Sequence, residues 1–109
     1  VQRTIETGRP VISIVECEHH PLKSFSLLNG TIQTMFKHSD LERSRQDLPK
    51  MYRPNGAIYV ASLAAIVNSK SLIPPDALTI EMSARDSIDI DSALDFEVSE
   101  YLIQHLPRH

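Results

Sequence analysis

Asn29-Gly30 is the feature that most constrains this chain. A two-residue hairpin turn needs positive φ at both central positions, which glycine adopts freely and asparagine tolerates. Pairing outward from that turn sets Leu27 opposite Ile32 and Phe25 opposite Thr34. Side chains alternate along a strand, so those four share one face while Ser24, Ser26 and Gln33 share the other. The pattern predicts a two-stranded arm with one apolar face. Such an arm is marginal alone and needs a covering surface, in this chain or in a second copy.

Shorter signals organise the remainder. Residues 1–10 are polar and end at Gly8-Arg9-Pro10, the tail of a helix or a linker. Val11 to Val15 is a mostly β-branched apolar run and reads as a buried strand. Lys37 to Arg53 is polar and irregular, and Pro54-Asn55-Gly56 reads as a tight turn into a second core strand, Ala57 to Ala61. Ser62 is placed to cap a short helix carrying Leu63, Ile66 and Val67. Pro74-Pro75 breaks the chain before a third strand at Leu78 to Met82. Ser92 opens a longer helix with an apolar stripe of Leu94, Val98, Tyr101, Leu102 and Leu106, acidic residues Asp95 and Glu97 near its start, and Pro107 at its end. Strands alternating with helices, with a hairpin inserted, predict an α/β layer fold.

Composition excludes several function classes. Eleven Lys and Arg against 14 Asp and Glu give a net charge of −3, and the cations between Lys37 and Arg53 alternate with Asp40, Glu42 and Asp47. That is a solvated mixed-charge stretch, so no nucleic-acid partner is expected. No apolar run is long enough to cross a bilayer, and no secretory leader pattern precedes the first strand, so no membrane partner is expected. Cys17 is the one cysteine, which rules out an intrachain disulfide and fits a cytoplasmic location.

Two constellations could carry chemistry. In Ser87-Ile88-Asp89-Ile90-Asp91 an extended backbone would point Asp89 and Asp91 the same way, with Ile88 and Ile90 anchored in the core. Mg²⁺ takes one or two carboxylates plus substrate phosphates, so a magnesium-nucleotide site is one reading, and capping of the following helix is the other. Arg53-Pro54-Asn55-Gly56 offers charged and amide donors beside a glycine, but by its residues alone reads first as an ordinary turn leading into a strand. Glu16-Cys17-Glu18-His19-His20 lacks the spacing and second ligand pair of a zinc site. His38, His105 and His109 are scattered and read as surface residues. Lys23 and Arg45 are isolated cations flanking the hairpin; an arginine can grip a carboxylate with two hydrogen bonds, and a lysine supplies a point charge. No glycine-rich phosphate loop and no nucleophile triad is present in the sequence.

Four segments, in order, resemble the bacterial CMP-sialate synthetases (acylneuraminate cytidylyltransferases). They are Glu18-His19-His20-Pro21-Leu22-Lys23, Arg45-Gln46-Asp47-Leu48-Pro49, Arg53-Pro54-Asn55-Gly56-Ala57-Ile58-Tyr59, and Ser87-Ile88-Asp89-Ile90-Asp91. The resemblance runs from Val11 onward and identifies the chain with the C-terminal half of such an enzyme. It implies the C-terminal half of a nucleotide-diphospho-sugar-transferase-like α/β sheet with an inserted β-hairpin dimerisation arm. Residues 1–109 would then be a partial cytidylyltransferase domain, with 18–52 as the arm region of a homodimer.

The implied reaction transfers CMP from CTP to N-acetylneuraminate, giving CMP-sialate and pyrophosphate with Mg²⁺. By the same resemblance Asp89 and Asp91 are the catalytic metal ligands. Lys23 and Arg45 would meet the sugar-acid carboxylate, and Arg53, Asn55 and Tyr59 would contact substrate. The family's N-terminal phosphate-binding motif has no counterpart here, so the isolated chain is expected not to turn over CTP. Leu72-Ile73 stand where sialate enzymes often carry an aromatic pair, which leaves legionaminic or pseudaminic acid as alternative substrates. A cytidylyltransferase for an eight-carbon sugar acid is a further alternative, against which the EHHPLK segment speaks. A non-catalytic dimerisation module is the alternative outside enzymology, and retention of both aspartates speaks against it.

Overall fold

The computed structural model describes residues 1–106. Its elements run in the order α1 (Gln2–Thr7), β1 (Val11–Glu16), β2 (Phe25–Leu28), β3 (Thr31–Thr34), β4 (Tyr52–Val60), α2 (Leu63–Ser69), β5 (Leu78–Glu81) and α3 (Ala93–Gln104), with short 3-10 turns between them. The described residues form two compact units, one of residues 1–15 and 54–106, the other of residues 16–53. This is a mixed α/β architecture with small sheets.

The first unit is built on β1, the middle strand of a three-stranded sheet ordered β4-β1-β5. A middle strand covered on both faces needs apolar residues at consecutive positions, and VISIV supplies them. Val11, Ile12 and Val15 are buried, and so is Ser13 between them. β5 lies parallel to β1 with Val11 opposite Leu78 and Ser13 opposite Ile80. Backbone bonds continue that pairing at both ends, from Leu78 N–H to the Pro10 carbonyl and from Met82 N–H to the Ile14 carbonyl, both 2.8 Å. Arg9 donates from Nε to the Asp76 carbonyl at 2.7 Å, tying the entry of β1 to the loop before β5.

Both expected helix starts are present. Ser62 Oγ accepts from Ala65 N–H at 3.1 Å, and Ser92 Oγ accepts from Asp95 N–H at 3.2 Å. Each bond satisfies an N–H that the helix itself cannot pair. The end expected at Pro107 lies outside the described residues; α3 closes at Gln104 with His105 as its cap.

Three expectations for this unit need correction. Pro54-Asn55-Gly56 is no turn before a strand: it lies inside the nine-residue β4. Gly56 adopts φ 74° there, and the Asn55 side chain turns inward to accept from Ala57 N–H at 3.1 Å. The strand therefore kinks locally instead of reversing. The stripe of α3 is not a buried face either, since Leu94, Val98, Tyr101 and Leu106 all remain exposed. Nor is Ile90 anchored in the core, being 58% exposed, while Ile88 is half-buried.

The second unit carries the hairpin in the expected register, with Phe25 opposite Thr34, Ser26 opposite Gln33 and Leu27 opposite Ile32. Asn29 and Gly30 take φ of 51° and 78°, the two positive values the turn requires. Its own small core is Cys17 and Leu48. Cys17 N–H donates to the Met51 carbonyl at 2.9 Å, closing the base of the unit.

Gly56 gives a direct test of the kinked strand. A Cβ there meets nothing within 4 Å, so any penalty comes from the backbone angle alone. Gly56→Ala should destabilise the chain by roughly 1–2 kcal/mol, read from urea unfolding midpoints at unchanged slope. Unchanged stability would mean that β4 does not hold this conformation.

Candidate functional site

The acidic segment belongs to the first unit. A 3-10 turn at Arg85–Ser87 leads into an irregular stretch, Ile88 to Asp91, and Ser92 then caps α3. The cap is a reciprocal pair. Ser92 receives the Asp95 N–H, and the Asp95 carboxylate receives the Asp91 N–H at 3.1 Å. Helix capping thus falls to Ser92 and Asp95. The carboxylates of Asp89 and Asp91 are exposed, and among the described residues neither takes part in a hydrogen bond or an ion pair. Exposed carboxylates are hard-oxygen donors of the kind Mg²⁺ takes, one or two at a time, beside waters and substrate phosphates. Among the described residues no group of three or more His, Cys, Asp or Glu side chains gathers into an all-protein cage.

Asn55 and Tyr59 lie on β4 in the same unit. Tyr59 is 42% exposed and open to a ligand. Asn55 is 4% exposed, and its amide is wholly engaged inside the protein. Oδ1 accepts from Ser13 Oγ–H at 2.5 Å and from Ala57 N–H, while Nδ2 donates to Ser87 Oγ at 3.0 Å and faces Met82 Sδ at 3.3 Å. Both acceptor and both donor positions of this side chain are thus engaged within the protein.

The cations at the base of the hairpin belong to the second unit. Arg45 donates to the carbonyls of Cys17 and Glu18 and lies 3.6 Å from the Glu16 carboxylate. Arg53 donates from Nη2 to Glu18 Oε1 at 3.1 Å. Lys23 is half-buried at the end of a 3-10 turn, Pro21–Lys23, and makes no ion pair among the described residues. His20 holds this turn. Its Nδ1 accepts from Leu22 N–H at 3.2 Å, so Nε2 carries the proton and donates to the Pro49 carbonyl at 2.7 Å. Both ring nitrogens serve the backbone, so His20 is a clamp rather than a ligand. A cleft of about 320 Å³ opens beside it, lined by Glu16, His20, Arg45, Lys50 and neighbouring apolar side chains.

The hydrogen bond from Arg53, aided by one from its own backbone and the guanidinium charge, holds the Glu18 carboxyl below its usual range. The sequence reading missed Glu16 and Glu18 as partners of these arginines, because nothing in a linear pattern pairs residues so far apart. It also missed Ser13 and Ser87. A lone serine inside the β-branched run was the available signal, since a buried hydroxyl demands a partner.

No protein-family model matches this sequence. Curated relatives do. The chain is 30% identical over 86 residues to an N-acylneuraminate cytidylyltransferase of Streptococcus agalactiae, covering 79% of this chain and 21% of that protein. It is 30% identical over 100 residues to a CMP-N,N'-diacetyllegionaminic acid synthase of Legionella pneumophila, covering 90% of this chain and 43% of the synthase. A bifunctional protein of Helicobacter pylori, named in part a pseudaminic acid cytidylyltransferase, is 31% identical over 84 residues, 77% of this chain and 16% of its own length. The chain thus spans about a fifth of the streptococcal relative.

Glu18 makes the charge pairing testable. Its folded-state pKa is depressed, so its contribution to stability is present above the unfolded value and is lost as pH falls through the folded one. The carboxyl carbon of Glu18 should titrate below the ordinary 4.5 in NMR spectra, and Arg53→Gln should return it toward that value. A midpoint unmoved by Arg53→Gln would contradict the pairing.

Proposed function

We propose that this chain, similar over 79% of its length to an N-acylneuraminate cytidylyltransferase, forms part of an enzyme that transfers CMP from CTP to a nonulosonic acid, with N-acetylneuraminate as the first candidate. That similarity is the observation that carries the reading. The uncommitted carboxylates of Asp89 and Asp91 support it, because pure packing or dimerisation needs neither. The anomeric hydroxyl of the sugar acid gives up its proton to water, its oxygen forms a bond to the α-phosphorus of CTP, the bond from that phosphorus to the α–β bridging oxygen breaks, and pyrophosphate departs with its electrons.

In this reading the residues divide the work. Asp89 and Asp91 offer the oxygen ligands for Mg²⁺. Bound there, the ion supplies positive charge for the phosphate oxygens on which charge builds. Lys23 and Arg45 supply cations for the sugar-acid carboxylate, the arginine through a planar fork that matches it, and Arg53 offers a second fork as a substrate contact. Glu16 and Glu18 keep those forks extended until a ligand carboxylate replaces them. Tyr59 provides an exposed contact on β4. Asn55 is left out of the contact set and acts from inside the sheet.

The second unit, with the hairpin, serves as the dimerisation arm, corresponding to residues 18–52. Phe25, Leu27 and Ile32 are 47%, 69% and 46% exposed on one face of it. Covering what remains exposed contributes about 1–2 kcal/mol for each, enough together for a second copy to be the natural cover. Leu27→Asp with Ile32→Asp should yield monomer by light scattering, and an unchanged mass would remove the arm from the account.

The activity is tested on the full-length polypeptide that carries this sequence, by pyrophosphate release from CTP with a panel of nonulosonic acids. Asp89→Ala should lower turnover on the order of 100-fold, the loss of about 3 kcal/mol of charge stabilisation. Turnover that persists in Asp89→Ala would refute the metal assignment. Preference for a legionaminic or pseudaminic acid would move the substrate within the same reaction class, toward the sugars named in the Legionella and Helicobacter relatives.

A further inference from the structure

We infer that Asn55 and Ser87 are positioning residues, whose buried hydrogen-bond chain fixes the point from which the acidic segment Ile88 to Asp91 leaves the sheet. The inference rests on the reading of Asp89 and Asp91 as metal ligands. The chain of bonds has one consistent direction. Ala57 N–H can only donate, so the Asn55 atom 3.1 Å away is the carbonyl oxygen, and the other amide atom is the nitrogen. Ser13 Oγ accepts from Ile58 N–H at 2.8 Å and donates a hydrogen bond to Asn55 Oδ1 at 2.5 Å. On the far side Asn55 Nδ2 donates to Ser87 Oγ at 3.0 Å, and Ser87 donates to the Ser83 carbonyl at 2.6 Å.

Every hydroxyl on the path both gives and receives. The side chains of Ser13, Asn55 and Ser87 belong to residues only 1%, 4% and 6% exposed, so water cannot substitute for a missing partner. Ser87 is the last residue of its 3-10 turn and lies two positions before Asp89. Ile90 is exposed, so of the two isoleucines in the segment only the half-buried Ile88 adds apolar packing to the hold of the polar chain. Asn55 therefore couples the kinked strand β4 to the start of the acidic stretch. It does so without touching a ligand.

The test uses the ¹⁵N-labelled chain and two readouts: amide order parameters of residues 88–91, and broadening of those amides by Mn²⁺ as a stand-in for Mg²⁺. Ser87→Ala is expected to lower the order parameters locally and to weaken apparent Mn²⁺ affinity roughly 10-fold, as loss of a supporting partner does. Ser87→Thr keeps the hydroxyl and is expected to preserve both. Val15→Ala, a core truncation outside the polar chain, is expected to lower the melting temperature and leave both readouts unchanged. Unchanged order and affinity in Ser87→Ala overturn the inference, and so does an equal response in Val15→Ala. If Mn²⁺ leaves the parent chain's residues 88–91 unaffected, the metal reading fails by itself, and the order parameters alone decide the positioning role.

Discussion

The Asn55 amide is the interaction on which the first unit depends. Its sheet has little apolar material to work with: the largest wholly buried side chains are Val11, Val15 and Ser13. A polar residue at the centre of so small a core destabilises it unless every polar atom is paired. Asn55 makes those pairings in four directions, and Gly56 supplies the backbone angle that accompanies them. The same amide is thus a condition of the fold and the tie between β4 and the acidic segment.

Electrostatics is distributed differently in the second unit. There the arginines expected to receive an acidic ligand are held by the chain's own acceptors, Arg45 by two carbonyls and Glu16, and Arg53 by Glu18. These ion pairs are largely exposed, so each adds little stability. On the proposed reading their value lies in geometry. A guanidinium already extended toward a carboxylate loses less side-chain freedom when another carboxylate takes the place. His20 contributes to the same end by locking the turn that carries Lys23.

The hairpin was legible in the sequence to the level of register, because Asn29-Gly30 admits one turn and the alternation admits one face. The strands at Val11 and Leu78 and the caps at Ser62 and Ser92 were legible for the same kind of local reason. Pro54-Asn55-Gly56 was not. Asn and Gly form turns by local preference, and only the distant hydroxyls of Ser13 and Ser87 turn them into an interior kink. The apolar stripe of α3 was legible as a pattern but not as a burial, since periodicity says which side chains share a face and nothing about what covers it. Among the proposed site residues, Asp89 and Asp91 were recognisable by resemblance, while the distinction between capping and uncommitted carboxylates required the hydrogen bonds of Ser92 and Asp95.

The central claim is that this sequence belongs to a polypeptide that moves CMP onto a nonulosonic acid. Phosphorus NMR of CTP mixed with the full-length polypeptide, Mg²⁺ and N-acetylneuraminate tests it most directly, because it identifies which phosphate bond breaks. The account predicts that CTP resonances give way to a single phosphodiester signal and pyrophosphate in equal amounts. Conversion of CTP to CDP and inorganic phosphate, or a spectrum unchanged across the full set of nonulosonic acids, would contradict it.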